Sequence, residues 1–317
     1  PARDLRERIA AAGIIGLGGA LFPTARKLAM AADAPVLLLN GAECEPYVSC
    51  DDVLMRERTD LVVAGGRLLL AAIGARRCII AVKNNMPEAR VALYNALQSA
   101  GDPRLVLSVV TARYPVGGER QLIELVLGRE VPAGGHPADA GALCQNVATA
   151  AAVADFFQKG QPFISRIVTV TGGGVSRPRN IEARIGTAVA DLVALAGGYA
   201  DTPARLIMGG PMMGIALPDD DLPISAASNC VIAAMNCACE SIDAGGVAST
   251  GTASARAAAS GGCGTGGAWF DGAGAATRCC KRSTGAGANK LCTVGRLTRA
   301  AISSGKLLAT MCKASRI

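Results

Sequence analysis

Short, wholly apolar runs alternate with longer stretches whose apolar positions recur every three or four residues, and this rhythm organises residues 1–234. Residues 5–12 place their apolar side chains on one helical face and stop at Gly13. A glycine-rich turn follows, and Pro23 opens a second helix running to about residue 32. Residues 36–39 are all apolar and end at Asn40-Gly41, the pattern of a strand covered on both faces. Asp51 and Asp52 offer an N-cap to one long helix of about twenty residues, with Gly65-Gly66 as its weak point. Strands are predicted over 78–82 and 105–110, and helices over 87–100, 119–127 and 146–158. Strands alternating with helices imply a parallel sheet with helices on its faces.

The rhythm changes after Gln161-Pro162. A strand over 167–171, a helix over 187–196 closed by Gly197-Gly198 and a strand over 205–208 make a small α+β module. Beyond Ala234 the chain is rich in Ala, Gly, Ser, Thr and Cys, and helical periodicity persists only over 294–311. Such a segment is expected to remain largely disordered.

Composition narrows the function. Half of the 317 residues are apolar and 18% are charged, enough to build packed cores. With one Trp, four Tyr and five Phe, platforms for stacking bases are scarce. A single histidine, His136, leaves no partner for a His-rich zinc site. The net charge of +7 suggests nucleic acid or anionic membrane until it is mapped: residues 235–317 hold 10 basic and 3 acidic side chains and carry the whole excess. No apolar run reaches the roughly 18–20 residues of a membrane-spanning helix. Pro1 in place of Met points to an excised or incomplete product, so the lack of a leader says little. Five scattered cysteines before residue 235 do not resemble a secreted disulfide frame, and a cytosolic body is expected.

Four clusters carry candidate chemistry. In Gly16-Leu17-Gly18-Gly19-Ala20-Leu21-Phe22-Pro23, glycines before a helix allow backbone N–H groups to approach a phosphate, and Lys27 adds a positive charge one turn later. The alternative is a plain turn between two helices. No strand directly precedes these glycines, so a GxGxxG dinucleotide fingerprint fits poorly. Asn40-Gly41-Ala42-Glu43-Cys44-Glu45 follows the first strand, at the end of an open parallel sheet where ligands bind. Glu43 and Glu45 there can accept from ribose hydroxyls or flavin N–H groups, or else form a solvated acidic loop. Tyr114-Pro115-Val116-Gly117-Gly118-Glu119 follows the third strand at the same end. Asn146 and Thr149 stand at a helix start, where capping alone accounts for Asn146.

In order and spacing these clusters resemble the C subunit of the Rnf (Rsx) electron-transport complex, an ion-translocating NADH:ferredoxin oxidoreductase family. That protein is similar in turn to the NADH-binding flavoprotein of respiratory complex I. GLGGALFPTARK, NGAECEPYVSCDD, YPVGGERQLI, CQNVATAAAV and MGGPMMGIAL carry the likeness across about residues 1–234. It implies an α/β fold: a parallel-sheet FMN/NADH-binding domain over 1–162, then a small β-grasp (SLBB-like) α+β module over 163–217. A linker toward a cluster domain over 218–234 and an aberrant low-complexity tail over 235–317 would follow.

The resemblance also implies residue roles. Gly16, Gly18, Gly19 and Lys27 would surround the FMN phosphate, with Asn40 and Glu43 near the flavin and its ribityl chain. Gly117, Gly118 and Glu119, in the Tyr114 cluster, would lie beside the isoalloxazine and nicotinamide. Asn146 and Thr149 would hold the phosphate end, and Phe22, Glu45 and Glu119 would meet NADH. Hydride would pass from NADH to the flavin, and electrons would leave singly toward 4Fe-4S clusters. The protein would sit peripherally on the cytoplasmic side of the cell membrane, held by partner subunits. A flavin-dependent cobalamin reductase of propanediol-using organelles and a non-catalytic scaffold with a closed flavin site are the alternatives.

Three departures stand out. Leu21 occupies a position where the family usually has glycine; if the backbone there is left-handed, leucine costs about 1–2 kcal/mol. The part of the family that precedes the flavin domain is absent before Pro1. Finally, the family continues with two CxxCxxCxxxCP runs, whereas Cys237, Cys239, Cys263, Cys279, Cys280, Cys292 and Cys312 contain no CxxC. No iron–sulfur cluster is therefore expected in this chain. A reading-frame change near residue 235 would account for the loss of motif and the charge jump together.

Overall fold

The computed structural model describes residues 2–235 and the strand Gly295–Arg299. The first module runs α1 (Ala2–Ala11), α2 (Thr24–Met30), β1 (Val36–Gly41), α3 (Cys50–Glu57), α4 (Thr59–Ile73), β2 (Arg77–Lys83), α5 (Pro87–Ala100), β3 (Leu105–Val110), α6 (Glu119–Leu127), β4 (Ala142–Asn146) and α7 (Val147–Lys159). Its four strands form an all-parallel sheet in the order β3-β2-β1-β4. Both faces are covered, which is why β1 and β2 read as continuous apolar runs. Leu37, Leu39, Cys78 and Ile80 pack with α1, α4, α5 and α7 on one side, and Leu38, Ile79 and Ala81 pack with α6 on the other.

Three features of this module differ from the sequence expectation. The predicted twenty-residue helix is two helices that break at Arg58, and Gly65-Gly66 lies in the middle of the second. Those glycines mark close packing: a Cβ on Gly65 would stand 1.9 Å from the Ala150 carbonyl oxygen of α7. Asp51 does not cap α3 but lies inside its first turn, buried at 4% exposure. β4 is a strand that local pattern does not announce, because Ala-Leu-Cys-Gln-Asn is too short and mixed to signal one by itself. Pairing with β1 is what makes it one.

The second module comprises β5 (Ser165–Thr171), β6 (Arg179–Arg184), α8 (Val189–Leu195), β7 (Arg205–Met208), β8 (Ile215–Leu217) and β9 (Cys230–Ala234). β9 pairs parallel with β5 and antiparallel with β7, so it is an inner strand of the mixed sheet. The stretch 218–234 is therefore no linker, because it supplies the strand that joins the two halves of this sheet. One sheet face packs under α8 through Val168, Val170, Val231 and Leu206. The other packs Ile207, Cys230 and Ile232 against Val48 and Cys50 of the first module.

Gly295–Arg299, here β10, lies parallel to β6 at the sheet edge, within a tail that the sequence leads one to expect as largely disordered with helical periodicity only over 294–311. A backbone edge left open by β6 offers hydrogen bonds that local periodicity does not reveal. The seven tail cysteines, and with them the expectation of no iron–sulfur cluster, fall outside the described residues. Among the described residues no helix is long and apolar enough to cross a membrane.

Candidate functional site

The carboxyl ends of β1, β3 and β4 deliver three of the four sequence clusters to one place, and the glycine loop before α2 closes over it. Asn40, at the end of β1, donates from Nδ2 to the Gly117 carbonyl at 2.9 Å and accepts the Ala42 N–H on Oδ1 at 3.0 Å. Asn146 caps α7 by accepting the Ala148 N–H at 2.8 Å, and its Nδ2 donates to Asp51 Oδ2 at 2.6 Å. A Cβ on Gly18 would sit 3.2 Å from Asn146 Cβ, and one on Gly117 would sit 2.3 Å from the Ala42 carbonyl oxygen. Those two glycines are required by close approach, since neither has a positive φ.

The glycine loop is held from beneath and open above. Gly16 N–H donates to the Phe22 carbonyl at 2.8 Å, which shapes the loop. Leu17 N–H donates to Thr149 Oγ1 at 2.9 Å, and the Leu17 carbonyl accepts from Arg166 of β5 at 3.3 Å. The amides of Gly18, Gly19 and Ala20 have no hydrogen-bond partner among the described residues. Gly19 takes φ +104°, and Leu21 takes φ +55° with its side chain 41% exposed. Leu21, a position where the resemblance leads glycine to be expected, is thus left-handed here, and leucine occupies it under strain.

Charged groups are paired in ways the sequence did not reveal. Lys27 Nζ lies 2.5 Å from Glu119 Oε1 at the start of α6, so the two meet across the site. Thr149, expected at a phosphate, is fully buried and serves as a prop for Leu17. Phe22 lies beneath the Arg26 guanidinium at 5.6 Å from its ring centroid. Tyr114 is exposed, and Gly118 caps α6 with extended backbone. Glu43 accepts the Glu45 N–H at 2.9 Å. Glu45 is half-buried, and desolvation raises its pKa while the amides of Met212 and Met213 oppose the rise. Its Oε2 accepts from Met212 N–H at 3.2 Å, and its Oε1 is buried without a hydrogen-bond partner among the described residues.

The sequence did not point to Asp51 or Arg166 as part of this region. Burial pushes the Asp51 carboxyl up to about 7, helped by the nearby Glu43 and opposed by the Asn146 hydrogen bond and Arg166. Burial also lowers the Arg166 pKa, and its guanidinium bonds the carbonyls of Leu17 and Ala226. An arginine inside the otherwise apolar register of β5 is the signal that could have found it.

The lining suits a flavin mononucleotide. The amides of Gly18, Gly19 and Ala20, the Lys27–Glu119 pair and the side chains of Asn40 and Asn146 are grouped here, and bare Gly18 and Gly117 let the loops that carry them approach Asn146 and Ala42. Residues 9–155 match the family described as the Nuo51 FMN-binding domain, and residues 167–216 match the SLBB domain. This is therefore a protein of the class that joins a Nuo51-type FMN-binding domain to an SLBB domain.

Relatives place it further. The chain is 52% identical over 231 residues to the C subunit of the ion-translocating oxidoreductase complex of Pseudomonas aeruginosa, a match that covers 72% of this chain and 30% of that one. It is 40% identical over 232 residues to the C subunit from Rhodobacter capsulatus, covering 73% and 44% respectively. Over the matched residues the chain belongs to the family of Rnf/Rsx ion-translocating oxidoreductase C subunits, and it spans less than half the length of either relative. Among solved structures, an NAD+-reducing NiFe-hydrogenase in the air-oxidised state superposes with a TM-score of 0.61 at 26% identity. That match covers 73% of this chain and 46% of the hydrogenase chain.

Proposed function

We propose that the first module binds FMN and accepts electrons from NADH, serving an Rnf-type ion-translocating oxidoreductase complex. The observation that carries this reading is the row of unpaired amides, Gly18 to Ala20, set beside Asn146 at the polar ends of β1 and β4. Gly16, Gly18, Gly19 and Lys27 would hold the phosphate, with Asn146 fixing the loop floor and Thr149 propping it. Asn40 and Glu43 would border the flavin, and Gly117 and Gly118 would leave room for the ring and nicotinamide. Phe22, Glu45 and Glu119 would meet NADH. Bound FMN supplies the conversion of a two-electron donor to one-electron transfers, and the protein supplies position and electrostatics.

The residues have separable tasks. Glu119 keeps Lys27 extended across the site, so an arriving phosphate competes with a carboxylate for the ammonium. Glu45 Oε1 is buried without a hydrogen-bond partner among the described residues, an acceptor whose missing partner carries a desolvation cost. Electrons would continue through 4Fe-4S clusters of the complex toward ferredoxin, coupled to ion movement. The protein would be peripheral, on the cytoplasmic face of the membrane, bound to other subunits.

Fluorescence titration of FMN with the full chain, then anaerobic addition of NADH, tests this. Saturable quenching followed by bleaching of the flavin is expected. A folded chain that leaves FMN fluorescence unchanged would instead support the scaffold reading, which the strained Leu21 favours.

A further inference from the structure

The loop between β7 and β8, Gly209-Gly210-Pro211-Met212-Met213-Gly214, belongs to the second module yet ends against Glu45 of the first. It is anchored by Gly209 N–H to the Cys230 carbonyl of β9 and by Gly214 N–H to the Gly210 carbonyl, each at 2.8 Å. Met212 N–H then reaches Glu45 Oε2 across 167 residues of sequence. The contact depends on one missing side chain. A Cβ on Gly210 would lie 2.2 Å from Glu45 Cδ, 2.3 Å from Oε2 and 2.7 Å from Cγ.

Gly210 has no positive φ, so its backbone does not itself call for glycine. Its neighbours differ. Gly209 has φ +96°, and a Cβ on Gly214 would strike the backbone oxygens of Gly210 and Met208. At Gly210 alone, every close atom belongs to the Glu45 side chain.

We propose that Gly210 is a positioning residue for the nucleotide site: its bare α-carbon lets the second module's loop seat on Glu45 and fix that carboxylate in the pose that meets NADH. The inference rests on the reading above that Glu45 contacts NADH. It makes the SLBB module part of the nucleotide site, with specificity divided between two modules. The seat engages Oε2 through Met212 N–H and buries Oε1, which has no hydrogen-bond partner among the described residues.

Gly210→Ala is the test, because the new methyl group displaces a flexible side chain and not backbone. In the full chain loaded with FMN, NADH-dependent ferricyanide reduction should show KM for NADH raised about tenfold, with FMN affinity within about twofold of wild type. In a Glu45→Ala background the same change should have no further effect on KM, whereas additive effects would overturn the proposal. A second readout needs no cofactor. Carbon-13 NMR of the side-chain carboxyls, with the Glu45 signal assigned by its loss in Glu45→Gln, should show Glu45 titrating above the ordinary carboxylate range. In Gly210→Ala it should return toward that range as water reaches it, with Glu43 the like-charged neighbour in both proteins. An unmoved Glu45 titration overturns the inference. If wild type takes no electrons from NADH but Gly210→Ala still moves Glu45, the functional reading fails and the positioning stands.

Discussion

Two glycine-rich loops reach the site from different modules, and single glycines in them answer different demands, left-handed backbone at Gly19 and Gly209 and close contact at Gly18, Gly210 and Gly214. The loop of residues 16–22 is the held partner: Thr149 and Arg166 grip Leu17, and the amides beyond it are left open. Its Gly19 has open space where a Cβ would go but needs φ +104°. The loop of residues 209–214 does the holding. Gly210 and Gly214 have unremarkable φ but no room, since Glu45 in one case and backbone oxygens in the other occupy the space. Each loop also communicates with one carboxyl that burial pushes upward, Asp51 through Asn146 and Glu45 directly. Glycine in a sequence signals either conformational freedom or contact, and only the surroundings distinguish them.

The largest effect expected from this contrast belongs to Asp51. Its carboxyl is raised from the usual 3.8 to about 7 in the folded protein, so the folded state binds the proton more tightly. The stability this gives is fully present below about pH 4 and is lost as pH rises toward about 7, by up to about 4 kcal/mol. Asp51→Asn keeps an acceptor for Asn146 and removes the titration. Urea unfolding of both proteins at several pH values should show wild type falling relative to the variant through that window and no further change above it. A pH-independent gap would place the Asp51 carboxyl in water and break the parallel with Glu45.

Next in size is the glycine comparison itself. Gly214→Ala places a methyl group 2.4 Å from the Gly210 carbonyl oxygen and 2.7 Å from that of Met208. It should cost roughly 3 kcal/mol, because backbone on both sides must move. Gly19→Ala meets no atom and should cost about 1–2 kcal/mol through its left-handed φ alone. Equal shifts in urea midpoint would erase the distinction between the two demands.

The smallest effect is at Leu21. Replacing it by glycine relieves a left-handed φ but adds freedom to the unfolded chain, and the net gain should be about 0.5–1 kcal/mol. A raised thermal midpoint with FMN binding at least as tight as wild type is the expected result. An unchanged midpoint together with weaker binding would mean that the leucine side chain contributes a contact of its own.

Local sequence was sufficient where an element is covered on both faces or ended by strong punctuation. Leu37-Leu38-Leu39 and Ile79-Ile80 announce the parallel sheet because both of its faces exclude water. Pro87, Gly101 and Gly128 mark helix ends because proline fits a first turn and glycine a left-handed cap. The four site clusters were legible as residues, since each follows a strand or opens a helix.

Tertiary structure decided what depends on partners distant in the chain. β4 and β9 are strands because β1 and β5 offer them hydrogen bonds, and neither sequence carries that information alone. Asp51 reads as a helix cap until burial beside Glu43 and Asn146 makes it a titrating group. Lys27 finds Glu119 across 92 residues, and Glu45 finds Met212 across 167. The sequence by itself determined the helices apart from the break between α3 and α4, three of the parallel strands and the chemical types at the site. Only folding could set which carboxyls lose water and which glycines must stay bare, because desolvation and steric exclusion are properties of surroundings and not of a residue.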